Sequence, residues 1–354
     1  MNRSSNARAD ATSADRRVLI VDDSAVARAV LARIVNGTPG YCAARMVGNT
    51  AAALDYLVAA SVDIILLDID MPGASGLAAL PDILVAGRGA RVIVVSSACK
   101  EGASATIDAL AFGASATLLK PAIGNFAGEF AGALRDRLER VAANEPMLPA
   151  SPPAKRVGAA SRPDAAVLAI GASTGGIHAL SQLLRSLPAS FDAPILITQH
   201  LPSSFMPYFA AQVAVLAKRP CVVASDRLRL RDRHVVVAPG TAHIRCVATS
   251  DGVAIRLVET PVANGCMPSV DPMFASVAQL WGTRAIAVIL SGMGRDGAEG
   301  AKAVSAAGGT VIVQDRETSV VWGMPGAVAE AGIADAILPP EAIGELVGRQ
   351  GRGR

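Results

Sequence analysis

Apolar residues in this chain gather in short β-branched runs, separated by stretches with helical spacing. In the first half the runs are Val18-Leu-Ile-Val, Ile64-Ile-Leu-Leu, Val92-Ile-Val-Val and Ala116-Thr-Leu-Leu. Short apolar runs bounded by turn-forming residues predict strands buried on both faces, as in a parallel sheet. Between them, 24–36, 49–60, 76–87 and 102–112 carry the spacing of alanine-rich helices. Strand–helix alternation of this length over residues 17–140 predicts a doubly wound parallel sheet of about five strands. Residues 165–345 begin a second alternation, with strands at Val167-Leu-Ala-Ile-Gly-Ala, Ile195-Leu-Ile-Thr-Gln, Ala285-Ile-Ala-Val-Ile-Leu and Val311-Ile-Val-Gln. Helical stretches at 176–187, 204–217, 271–281 and 297–307 join them. Arg233-His-Val-Val-Val-Ala-Pro-Gly and Ala242-His-Ile-Arg-Cys-Val read as an antiparallel pair inserted into this domain. The expected architecture is two α/β domains with doubly wound parallel sheets, one flavodoxin-like and one Rossmann-like.

Pro146, Pro149, Pro152, Pro153 and Pro163 interrupt any regular element between the two alternations. Residues 141–164 therefore read as a Pro-rich interdomain linker. Residues 1–16 read as a disordered tail and 346–354 as a frayed one.

Composition narrows the class. A chain of 354 residues is long enough for two ordinary cores. Hydrophobic content is 51%, carried by alanine, yet no run approaches the ~18 apolar residues of a membrane span. The N-terminus has no apolar h-region, so a cytoplasmic location without membrane insertion is expected. The five cysteines are scattered and form no Cys-x-x-Cys pair, which suits reduced thiols rather than zinc. A net charge of +3 without a basic block gives no sign of nucleic-acid binding.

Two groups of chemically capable residues fall at strand ends, where open α/β sheets place their sites. In the first domain Asp22 and Asp23 follow one strand, Asp68 ends another, Ser96 ends a third, and Lys120 follows the last. Crowded carboxylates repel unless a cation joins them, and hard oxygen ligands suit Mg²⁺. Such a carboxylate can attack phosphorus, and a nearby hydroxyl and ammonium can hold phosphoryl oxygens. Taken singly, an aspartate after a strand is commonly a cap or turn residue.

In the second domain three strands run into Ser173, His200 and Asp296. A nucleophile, a base and an orienting carboxylate are the parts of an acyl-transfer site. Gly171-Ala-Ser173-Thr-Gly175 matches G-x-S-x-G on a strand-to-helix turn, where a helix N-terminus faces a developing oxyanion. Alone, such a turn also fits a plain N-cap or a phosphate cradle. The order Ser, His, Asp differs from the Ser, Asp, His order of α/β-hydrolases.

Residues 17–140 resemble response-regulator receiver domains through Asp22-Asp23, Asp68, Ser96 and Lys120-Pro121. The resemblance implies that Asp68 accepts a phosphoryl group, that Asp22, Asp23 and Asp68 hold Mg²⁺, and that Ser96 and Lys120 sense phosphorylation. Two departures stand out. Thr117 occupies the position where receivers usually carry an aromatic residue, and Met71-Pro-Gly-Ala-Ser-Gly-Leu lacks a frequent acidic residue. Residues 165–345 resemble the catalytic domain of the chemotaxis protein-glutamate methylesterase and glutamine deamidase (CheB) family. The matching stretches are Ile170-Gly-Ala-Ser-Thr-Gly-Gly, Gln199-His-Leu-Pro, Val237-Ala-Pro-Gly, Pro268-Ser-Val-Asp, Ser291-Gly-Met-Gly-Arg-Asp-Gly and Val320-Val-Trp-Gly-Met-Pro-Gly-Ala-Val. This implies Ser173 as nucleophile, His200 as general base, Asp296 as its orienting partner, and Thr174 with the Met293 N–H at the oxyanion. No cofactor is implied for hydrolysis. The implied substrates are glutamyl γ-methyl esters and glutamines of methyl-accepting chemoreceptors, and the implied phosphodonor is a histidine kinase. Where the family commonly has His-Arg, this chain has Cys266-Met267. A dinucleotide-binding oxidoreductase fits less well, because G-x-G-x-x-G spacing and a Tyr-x-x-x-Lys pair are missing. The intact Ser, His and Asp set argues against a regulator without catalytic activity.

Overall fold

The structure, a computed structural model, describes residues 15–71, 76–96, 100–120, 128–142 and 165–350. Most of the expected linker and tails (1–14, 143–164 and 351–354), with Pro121, lies outside the described residues.

The first domain runs β1 (Arg16–Val21), α1 (Ala25–Asn36), β2 (Tyr41–Val47), α2 (Thr50–Ala59), β3 (Ile64–Asp68), α3 (Gly76–Ala86), β4 (Arg91–Ser96), α4 (Lys100–Phe112), β5 (Ala116–Leu119) and α5 (Glu129–Ala142). Its five strands are all parallel, in the order β2-β1-β3-β4-β5. The period-2 alternation of a strand decides which layer each side chain joins. Leu19, Ile65, Leu67, Val92 and Val94 pack with Leu80, Ile83 and Ile107 on one face. Val18, Ile20, Ile64, Leu66, Ile93 and Val95 pack with Leu31, Leu134 and Leu138 on the other. Both faces are covered, which is why these strands read as unbroken apolar runs.

The second domain runs β6 (Val167–Ala172), α6 (Gly176–Ser186), β7 (Ile195–Gln199), α7 (Met206–Ala217), β8 (Cys221–Val223), β9 (Val235–Val237), β10 (His243–Thr249), β11 (Gly252–Val258), α8 (Val270–Trp281), β12 (Ala285–Ile289), α9 (Ala298–Ala306), β13 (Thr310–Gln314), α10 (Gly323–Glu330), β14 (Ala336–Leu338) and α11 (Pro340–Gln350). Seven parallel strands order as β14-β13-β12-β6-β7-β9-β8.

Three expectations are corrected. The runs at 233–240 and 242–247 do not pair with each other. β9 is parallel to β7 and β8, and the antiparallel partner of β10 is β11. Val235, Val236 and Val237 are all buried and belong inside a covered parallel sheet, whereas β10 and β11 each have exposed positions. The chain is not frayed from 346, because α11 continues to Gln350 with Val347 fully buried. Regular structure also extends past the assigned borders of the first domain, from Arg16 to Ala142. No helix among the described residues is long and apolar enough to cross a membrane.

The domains meet where α4 packs on α6 and α7. His178 Nδ1 lies 3.0 Å from the Ala111 carbonyl oxygen near the end of α4.

Candidate active site

Ser173 follows β6 directly, His200 follows β7, and Asp296 lies between β12 and α9. In the sheet β6 sits between β12 and β7. The chain leaves β6 toward β7 on one side and returns much later as β12 on the other. The three side chains therefore meet at a topological switch point, where open α/β sheets form their crevice.

Backbone bonds lock the three loops together. The Ser173 N–H donates to the Ser291 carbonyl at 3.0 Å, and the His200 N–H to the Ala172 carbonyl at 3.1 Å. Gln199 Nε2 donates to the Ser173 carbonyl at 2.9 Å. The turn after Ser173 depends on Gly175, whose φ is +75° and where an added Cβ would fall 2.3 Å from Val320 Cβ.

His200 Nε2 lies 2.8 Å from Asp296 Oδ2. A carboxylate can only accept, so Nε2 carries the proton and Nδ1 keeps a lone pair. Asp296 is 1% exposed and receives three further donors: the Val270 N–H at 2.8 Å, the Ser269 hydroxyl at 2.6 Å and Asn264 Nδ2 at 2.7 Å. Burial alone would raise this carboxyl. The hydrogen bonds from His200 and Ser269 and the Val270 amide outweigh it and hold Asp296 below the ordinary carboxylate range. Among the described residues, Ser173 and His200 make no hydrogen bond to one another. They line one cavity of about 1230 Å³ together with Thr174 and Met293.

The N–H groups of Thr174 and Met293 donate to no group among the described residues. Glycine at 292 lets the Met293 loop approach the serine, since a Cβ there would fall 2.8 Å from Ser173 Cβ. The chemistry available is a hydroxyl nucleophile, an oriented imidazole with a free lone pair, a buried ionised carboxylate, and two uncommitted N–H donors.

The first domain also gathers its expected residues. Donor oxygens of Asp22, Asp23 and Asp68 lie within 4.8 Å of one another. Lys120 Nζ lies 2.5 Å from Asp68 Oδ2 and 2.9 Å from Asp22 Oδ2. The second contact is off the direction of a hydrogen bond, so this buried Asp22 oxygen keeps an open lone pair. Burial lowers the Lys120 ammonium, but its hydrogen bond to Asp68 and the charges of Asp68 and Asp22 prevail and raise it. Burial, with a smaller push from the Asp22 charge, raises Asp68. An open oxygen in a crowded all-oxygen set fits a hard divalent cation. Ser96 is buried, and its hydroxyl lies 2.7 Å from Thr106 Oγ1 rather than on Asp68.

The cavity over Ser173 and His200 is also lined by first-domain residues, among them Thr106, Lys120, Phe130 and Arg137. Lys120 thus borders both the acidic cluster and the space above the serine.

Sequence reasoning missed the anchors of Asp296. Ser269 could have been found as the N-cap of α8, where its hydroxyl also accepts from the Asp271 N–H. Nothing local marks Asn264, which reaches Asp296 from an irregular loop. His243 is also unannounced. It is fully buried and accepts the Ser269 N–H at Nδ1, 2.8 Å away.

Comparison with known proteins places both halves of the chain in families. The CheB methylesterase family matches residues 168–347, and the response regulator receiver domain family matches residues 18–125. A protein-glutamate methylesterase/protein-glutamine glutaminase of Caulobacter vibrioides is 39% identical, covering 95% of this chain and 99% of its own. One from Bradyrhizobium diazoefficiens is 38% identical over 94% of this chain and 93% of its own. The crystal structure of the Thermotoga maritima CheB methylesterase catalytic domain superposes with a TM-score of 0.51 at 37% identity, covering 52% of this chain and 98% of that one.

Proposed function

The chain belongs to the CheB methylesterase family, with a response regulator receiver domain ahead of the hydrolase domain, and on that premise we propose that Ser173, His200 and Asp296 hydrolyse glutamyl γ-methyl esters and glutamine amides on chemoreceptor cytoplasmic domains. It is an enzyme of the protein-glutamate methylesterase and protein-glutamine glutaminase kind.

The observation that carries the reading is the 2.8 Å His200–Asp296 pair at the switch point beside Ser173. Because Asp296 holds Nε2, the His200 nitrogen available to Ser173 is Nδ1. It takes the Ser173 hydroxyl proton as Oγ bonds to the ester carbonyl carbon. The carbonyl oxygen becomes an oxyanion, and the Thr174 and Met293 N–H groups are the free donors beside it. His200 then returns the proton to the leaving oxygen, so methanol departs and an acyl-serine remains. Water, deprotonated by the same nitrogen, releases glutamate and restores Ser173. On glutamine the leaving group is ammonia. Every step uses side chains and backbone of this chain.

Regulation belongs to the first domain. Asp68 is the phosphoacceptor, and a histidine kinase of the same pathway is the donor. Asp22, Asp23 and Asp68 would hold Mg²⁺, which when bound neutralises charge around the transferred phosphoryl group. Lys120 and Ser96 would report the new charge. Lys120 already borders the cavity over Ser173, so its movement onto a phosphoryl group changes one wall of that cavity. Phosphorylation then opens the serine to a bulky helical substrate. With cytoplasmic receptor segments as substrate, the enzyme acts in the cytoplasm.

The test is methanol release from methylated receptor. Ser173→Ala is expected to reduce the rate by several orders of magnitude with the fold intact. A variant retaining more than about a tenth of the wild-type rate would refute the nucleophile assignment.

A further inference from the structure

Among the described residues, a second set of potential metal ligands lies within the hydrolytic site itself. A ring nitrogen of His200, the sulfur of Cys266 and a carboxylate oxygen of Asp296 all lie within 4.8 Å of one another. We propose that these three side chains form an inhibitory site for a borderline-soft divalent ion of the Zn²⁺ type, created in this chain by Cys266.

The donor set selects the ion. Imidazole, thiolate and carboxylate are the ligands of zinc, with bonds of about 2.0–2.3 Å, whereas Mg²⁺ and Ca²⁺ prefer oxygen alone. His200 Nε2 and Asp296 Oδ2 are already 2.8 Å apart. An ion replacing the proton between them would bond both with a small opening of that gap. Two of the ligands share one support. Asn264 Oδ1 accepts the Cys266 N–H at 2.9 Å, while Asn264 Nδ2 holds Asp296 Oδ1 at 2.7 Å. Outer hydrogen bonds of this kind orient metal ligands. His200 and Cys266 both border the large cavity, which leaves room for water at a fourth position.

The site stays silent without metal. Burial, with the charges of Asp296 and Asp271, pushes the Cys266 thiol up. A divalent ion reverses that balance. It offsets the carboxylates and deprotonates the sulfur it binds, and the thiol proton leaves to solvent. On His200 the Nε2 proton is displaced and relocates to Nδ1. Resting on the reading of Nδ1 as the base, this abolishes catalysis, because a protonated Nδ1 cannot accept from Ser173. Binding therefore switches off the base without touching the nucleophile.

The experiment uses the full chain with Mg²⁺ at saturation, so that the acidic cluster of the first domain is filled. Zn²⁺ binding is measured by equilibrium dialysis, Co²⁺ by its thiolate charge-transfer absorption, and methanol release relative to each protein's own zinc-free rate. Wild type is expected to bind one Zn²⁺ at this site, show the cobalt–thiolate band and lose activity reversibly on chelation. Cys266→Ser and Cys266→Ala are expected to lose the band and to need roughly 100-fold more zinc for equal inhibition, at or beyond the upper end for loss of an outer-shell partner. Absence of the band in wild type, or equal zinc sensitivity in both variants, overturns the site. Cys266-dependent binding without loss of methanol release overturns its inhibitory role. A Cys266-dependent band in a chain that never releases methanol supports the metal site and overturns the hydrolase reading instead.

Discussion

Replacing Asp296 by asparagine removes a negative charge 2.8 Å from the His200 imidazole while keeping the side chain's shape. The amide oxygen can stay with His200 and the Val270 N–H, and its NH₂ can face the Ser269 hydroxyl, which would have to turn and share its acceptor side with the Asp271 N–H and Asn264 Nδ2. The unfavourable meeting is with Asn264 Nδ2, one donor out of the four that reach Asp296. Folding should therefore survive. Catalysis should not. As Ser173 gives up its proton, His200 becomes an imidazolium whose charge lies about 4 Å from the carboxylate. At an effective dielectric of about 20 that attraction is about 4 kcal/mol. At about 1.4 kcal/mol per tenfold, its loss predicts a kcat about a thousandfold lower. The assay is single-turnover methanol release from a methylated receptor fragment, with thermal unfolding as the control. A folded Asp296→Asn protein within about tenfold of wild type would refute the charge argument and demote Asp296 to a loop anchor.

Four further outcomes follow from the same geometry. Ser269→Ala removes both a bond to Asp296 and the α8 cap; it should cost about 1 kcal/mol in denaturant unfolding and about tenfold in kcat. Gly292→Ala would place a methyl 2.3 Å from Met324 Sδ and 2.8 Å from Ser173 Cβ; displacement of the oxyanion loop should lower kcat by roughly 100-fold with KM little changed, and steady-state kinetics decide it. Burial pushes the thiols of Cys221 and Cys246 up to about 12, so peptide mapping after iodoacetamide at about pH 8 should find both unmodified until the chain is denatured. Asp68→Asn should hold methanol release at its basal rate when a small phosphodonor is added, while wild type accelerates.

The core of the fold was legible because the chain buries its central strands on both faces. Val167–Ala172, Ile195–Gln199, Ala285–Ile289 and Thr310–Gln314 are apolar throughout or nearly so, and all four stand as strands of the seven-stranded sheet. The strands missed were at sheet edges, and helix α5 (Glu129–Ala142) was missed as well. β2 carries Arg45 and exposed Met46 because one side of an edge strand faces solvent. β8 and β14 span three residues each, too short to show a period. The mistaken antiparallel pair had a local cause. The Pro239-Gly240 turn between two valine-rich runs looks like a hairpin, but Gly240 serves another purpose, since a Cβ there would fall 2.4 Å from the Ser203 nitrogen.

The site divides in the same way, and the division has a physical origin. Ser173, His200 and Asp296 could be read because each ends or follows an apolar run, and a parallel sheet brings the ends of such runs to one edge whatever their separation in sequence. What keeps Asp296 ionised comes from irregular chain and from a backbone amide. Asn264 and the Val270 N–H carry no periodic signal, and the Ser269 hydroxyl reads locally as nothing more than a helix cap. Each takes its role only once the β12–α9 loop folds against the start of α8. The cavity is less legible still, because its two walls come from separate domains. Lys120 and Ser173 each announce a chemistry at a strand end, and neither announces that both face one space of about 1230 Å³. Under the regulation proposed above, that shared space is what would let a phosphoryl group on Asp68, held by Lys120, bear on the serine without any contact between the two sites.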